Sequence, residues 1–123
     1  MSRWIVLVGV LLIAGCGSMD SPEKLRDKVD PYVVSSLKNY DDLYSLLNQR
    51  IKACHETADQ QIKSALYTDR DRGAIAVSSG DVYKILVEVF KSPEGYGSQI
   101  TIHSRDDTLG ERVHSWIQGD TEC

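Results

Sequence analysis

The sequence predicts an α+β domain: a long N-terminal helix, a three-stranded antiparallel sheet and a short C-terminal helix, closed by one disulfide. Three observations lead there. Apolar residues recur at helical spacing through the middle of the chain, and period-two segments crowd the region after residue 73. Two cysteines are left to pair once an N-terminal leader is set aside.

The chain has 123 residues. The first fifteen read as a targeting segment and are excluded from the fold. That leaves 16–21 as a polar tether and 22–123 as one domain with a modest core. Ser21-Pro22-Glu23 has helix-start chemistry, Ser as N-cap and Pro at the first helical position. Asp30-Pro31 repeats the signal, so 22–29 is a separate short helix or turn. From Tyr32 onward the stripe Leu37, Tyr40, Tyr44, Leu47, Ile51, Cys54, Ala58 and Ile62 steps by three and four residues. With no Gly or Pro between Tyr32 and Arg72, it predicts one helix over about 32–66, roughly 50 Å long. Tyr and Cys on the stripe suit packing against a sheet better than a coiled-coil seam.

Asp69-Arg70-Asp71-Arg72-Gly73 ends that helix in a turn, and three strands are expected after it, at 74–78, 82–90 and 98–104. In the second, Tyr83, Ile85, Val87 and Val89 share one face, with Lys84 and Glu88 on the other. Pro93-Glu94-Gly95-Tyr96-Gly97 makes the following turn, and its Tyr96 either stands out as a contact residue or folds back on the sheet. Thr108-Leu109-Gly110-Glu111 reads as a capping box. Leu109, Val113, Trp116 and Ile117 then form the apolar face of a short helix ending at Gly119.

The leader begins Met1-Ser2-Arg3, a short positive stretch, followed by ten residues without charge from Trp4 to Ile13. Ten are too few to span a hydrocarbon core, which takes about 20. The run ends in Ile13-Ala14-Gly15-Cys16. This tetrad resembles the lipobox of bacterial lipoproteins, with Ile13 where Leu is commoner. The resemblance covers residues 1–16 and implies cleavage before Cys16 and acylation of its thiol. It also implies a destination: Gly17 and Ser18 follow the cysteine rather than Asp, which favours the outer membrane, facing the periplasm. Two or more acyl chains make such an anchor stable, at about 0.8 kcal/mol per buried CH₂.

Cys54 and Cys123 then remain as an even pair in an exported chain, and a disulfide is the natural reading. The alternative is a metal or redox pair, but the sequence has no CxxC, and His55, His103 and His114 lack ligand spacing. No metal site and no cofactor are expected.

Loss of the leader removes one charged residue, Arg3, leaving 13 basic residues against 18 acidic, a net charge of −5. That balance argues against nucleic acid and against flat docking on anionic lipid. His103-Ser104 with Asp106, and His114-Ser115, are the only groups resembling nucleophile and base. Neighbours on a strand point to opposite faces, and neither serine sits in a nucleophile elbow, so no catalytic residues are assigned. Asp41-Asp42 and Asp106-Asp107 precede helical patterns, where carboxylates offset the helix dipole. The functional expectation is a lipoprotein with a structural or protein-binding role in the periplasm. An inhibitor or immunity-type lipoprotein acting on a toxin or lytic enzyme is the alternative. A palmitate analogue should label the wild-type chain in cells and leave Cys16→Ser unlabelled; equal label in both would refute the anchor.

Overall fold

The computed structural model describes residues 21–123 apart from Asp107. The leader, Cys16 and the tether as far as Asp20 lie outside the described residues. The elements in chain order are α1 (Pro22–Lys28), β1 (Tyr32–Ser36), α2 (Tyr40–His55), β2 (Gln61–Tyr67), β3 (Arg72–Ser79), β4 (Val82–Lys91), β5 (Ser98–Ser104) and α3 (Leu109–Ile117). A 3₁₀ turn, Thr68–Arg70, joins β2 to β3. The strands form one sheet in the order β1-β5-β4-β3-β2, with every neighbouring pair antiparallel.

The α+β class holds, but the long helix and the three-stranded sheet do not. The segment expected as one helix over 32–66 is three elements: β1, a 16-residue helix α2, and the start of β2. Tyr32-Val33-Val34 are aromatic and β-branched, and they pair with Ile102, Thr101 and Ile100 on the distant β5. Asn39 takes an extended backbone before α2, and Glu56 does so after it, which ends the helix at both points. Leu37, the first residue of the apparent stripe, lies outside α2, and Ile62, the last, faces Val77 from β2. The helical spacing of the two end residues is therefore coincidental. Within α2 the stripe holds: Tyr40, Tyr44, Leu47, Ile51 and Cys54 pack into the core, which Leu43, absent from the stripe, joins as a fully buried residue.

Topology accounts for the length of α2. It carries the chain from β1 at one edge of the sheet to β2 at the other, across four inter-strand gaps or about 19 Å. Sixteen residues supply about 24 Å. With α3, it covers the face formed by Val34, Ile75, Val77, Ile85, Val87, Val89, Ile100 and Ile102, and Trp116 is wholly buried there. The opposite face has a smaller cover. Short helix α1 sets Leu25 against Ala76 and Leu86, with Val29 and Tyr83 alongside. Ser21 caps α1 by accepting a hydrogen bond from the Lys24 amide at 3.3 Å.

Two local expectations are corrected. Tyr83 does not share a face with Ile85, because a register shift between Val77 and Ser78 places Val77 opposite Ile85 and Ser78 opposite Tyr83. Thr108 makes no capping bond to α3; its hydroxyl donates instead to Asp106 Oδ1 at 2.7 Å.

The C-terminal tail is held at three points. Cys123 is bonded to Cys54 on α2, the Trp116 indole donates to the Glu122 carbonyl at 2.7 Å, and Arg50 donates to the Thr121 carbonyl at 2.8 Å. The disulfide closes a span of 69 residues. Reducing it, or making Cys54→Ser, should lower unfolding stability by about 4 kcal/mol, the chain-entropy value for a loop of that size. Urea midpoints of the two forms measure this; equal midpoints would remove the disulfide from the account of stability.

Candidate functional site

Two neighbouring loops at one end of the sheet hold apolar side chains in solvent. Leu37, just after β1, is 85% exposed, and Tyr96, between β4 and β5, is 65% exposed. Their backbones are tied by local hydrogen bonds. The Lys38 amide donates to Ser36 Oγ at 3.1 Å, and the Ser98 hydroxyl donates to the Lys38 carbonyl at 2.6 Å. Across the second loop the Ser92 amide donates to the Gly97 carbonyl, and the Gly95 amide donates to the Ser92 carbonyl, both at 3.0 Å. Gly97 is required here: its φ is +76°, and a Cβ would lie 2.5 Å from the Ser36 carbonyl oxygen. The two loops thus abut, and with Pro93 and Glu94 they border a depression of about 370 Å³. Tyr96 stands out from the turn instead of folding back on the sheet.

The face under α1 contains a charged cluster around Glu88, which the sequence placed only on the strand face opposite Ile85, Val87 and Val89. Glu88 is only 4% exposed. Arg26 of α1 donates to both its oxygens, Nε to Oε1 at 3.2 Å and Nη2 to Oε2 at 3.1 Å, and Arg72 of β3 adds a bond to Oε2 at 2.9 Å. Arg72 also lies over the rings of Phe90 and Tyr67, at 5.4 and 5.9 Å. The carboxylate is committed to two arginines, an arrangement that binds α1 to the sheet. The clue in the sequence was Glu88 within a run of strand formers, beside Leu86 in the same period-two register.

The histidines and serines considered for chemistry stay apart. His103 is 5% exposed, on the face of β5 opposite Leu86, with Nδ1 buried and unpaired. Ser104 is turned to use its oxygen as acceptor for the Asp106 amide at 3.0 Å. His114 lies exposed on α3 against Gln118 at 3.2 Å. Among the described residues none of these serines shares a hydrogen bond with a histidine. Asp41 and Asp42 occupy the first turn of α2, facing its dipole. Asp106 accepts from the Thr108 amide and hydroxyl, and those bonds hold its carboxyl below the usual range. Among the described residues no group of three or more His, Cys, Asp or Glu could hold a metal, and no helix is long and apolar enough to cross a membrane.

Set against known proteins, the chain matches no family model, no curated protein and no solved structure.

Burial is the main cause holding both His55 and His103 below the ordinary imidazole value of 6.5. A histidine with a depressed folded value takes up its proton first in the unfolded chain. Its stabilising effect is therefore complete above about pH 6.5 and declines as pH falls below that value. Asp106 acts in the same direction only in the carboxylate range, near pH 4 and below. Urea midpoints should thus fall between about pH 7.5 and about pH 5.5, and His55→Gln with His103→Gln should flatten that slope. An unchanged slope in the double variant would assign the pH dependence to other groups.

Proposed function

We propose that this chain is a lipid-anchored protein of the bacterial envelope that binds a protein partner and performs no catalysis. The observation that carries the reading is the pair Leu37 and Tyr96. Two large apolar side chains stand in solvent on loops whose backbones are already ordered. Ordered loops bind without the usual entropy cost of fixing them, and tyrosine is among the residues that dominate protein interfaces. A net charge of −5 from Cys16 onward favours a protein over nucleic acid.

The anchor supports the same reading. Lipid on Cys16 and the five residues Gly17 to Ser21 keep the domain within roughly 18 Å of its membrane, by the reach of an extended chain. A partner fixed in that membrane then meets the domain at raised effective concentration. The Gly17-Ser18 pair places this membrane, by its resemblance to lipoprotein sorting signals, as the outer one, with the domain in the periplasm.

A photocrosslinking residue at position 94, beside Leu37 and Tyr96, introduced into the anchored chain in its native envelope, should trap one protein partner. The same probe at Glu111 on α3 should not. Tyr96→Ala with Leu37→Ser should weaken capture, with at least one of the two changes worth roughly 2 kcal/mol, or about thirtyfold in affinity. A toxin or lytic enzyme as the trapped species would make the binding inhibitory. Equal capture from positions 94 and 111 would refute the assignment of the surface.

A further inference from the structure

At the end of the sheet away from Leu37 and Tyr96, a cavity of about 350 Å³ opens between the last turn of α2, the start of β4 and the exit of β5. Its origin is the register shift in β4. Val77 faces Ile85 and Ser78 faces Tyr83, so Lys84 is the extra residue of a β-bulge. The bulge turns Tyr83 toward Leu25 and Leu86. Ile85 is then the last residue β4 contributes to the core under α2 and α3, and the space beyond it, beside His55, stays open.

We propose that this cavity is a binding site for a small, mainly apolar ligand carrying one carboxylate. Val82 and Ile85 supply the apolar lining, with Tyr83 at its border, and the volume lies at the lower end of the range for ligand pockets, roughly 300–1,000 Å³. Among the described residues of the lining, Lys84 and Arg105 are cationic and Asp106 is anionic. The Asp106 carboxylate is already engaged by the amide and hydroxyl of Thr108, which blunts its repulsion of an anion. His55 adds the polar group expected of such a site: its Nε2 is buried without a hydrogen-bond partner. Burial, and then the charge of Arg112, lower the pKa of that imidazole and so favour its neutral form.

The site is separate from the Leu37–Tyr96 surface and does not depend on it. A test uses an aryl-diazirine carboxylate, irradiated with the full chain in isolated membranes, and mass spectrometric mapping of the labelled residues. Label should concentrate in 82–85 and 104–106 and be competed by octanoate. The matching uncharged amide should label about tenfold less. Lys84→Glu and Gln60→Trp, one reversing the charge and one filling the cavity from a loop, should each reduce labelling by about tenfold. Both lie outside the buried core, and Tyr96→Ala serves as the control that leaves labelling unchanged. Label scattered over the surface, equal labelling by the amide, or indifference to both variants would overturn the proposal.

Discussion

Glu88 sits on the central strand of a five-stranded sheet, and its carboxylate is shared by Arg26 of α1 and Arg72 of β3. A buried carboxylate is costly unless paired and hydrogen-bonded, and here three short bonds from two guanidinium groups meet that requirement. Its position links three parts of the fold: the N-terminal helix, the centre of the sheet, and the rings of Tyr67 and Phe90 over which Arg72 lies. Buried ion pairs of this kind add little net stability over apolar packing, but removing one partner strands the others. The cluster therefore specifies where α1 docks, while Leu25 against Ala76 and Leu86 supplies the apolar contact.

The two faces of the sheet divide the work. Under α2 and α3 the core is wholly aliphatic apart from Trp116, and it contains most of the buried apolar side chains. Under α1 the cover is one short helix, and the buried groups include Glu88, His103 and Ser78. Strand β4 is buried on both faces from Ile85 to Val89, so the one charged residue there, Glu88, sits among four aliphatic ones without becoming exposed. The chain then uses its two termini as fasteners. Helix α1 closes the polar face, and the tail ending in Cys123 is tied to α2 on the apolar one.

The ends of the sheet differ in a way that suits two kinds of contact. At the Leu37–Tyr96 end, the loops are short and internally bonded and hold Leu37 and Tyr96 in solvent, the surface proposed for a protein partner. At the other end, the β4 bulge removes a core side chain and leaves a concave, partly apolar space with titratable groups in its lining. Both follow from local backbone events, a positive-φ glycine at one end and an extra residue in a strand at the other.

Much of the chain was legible from sequence alone, because the decisive interactions there are local. Ser21-Pro22 starts a helix, Leu47 and Ile51 mark the buried face of α2, and Gly95 and Gly97 carry the β4–β5 turn. The exposed Tyr96 was read from that turn as one of two possibilities. Tertiary structure decided the rest. Residues 32–36 and 61–67 are strands because β5 and β3 offer them backbone partners; β5 lies far along the chain from β1, and the hairpin of β2 with β3 was masked by the helical spacing of Cys54, Ala58 and Ile62. Leu37 and Ile62 fell on helical spacing, so a pattern built on side chains alone joined three elements into one. The sequence set Glu88 on the strand face opposite Ile85, Val87 and Val89 without deciding its burial. Only the docking of α1 buries it, and only the register shift at Lys84 opens the cavity beside His55.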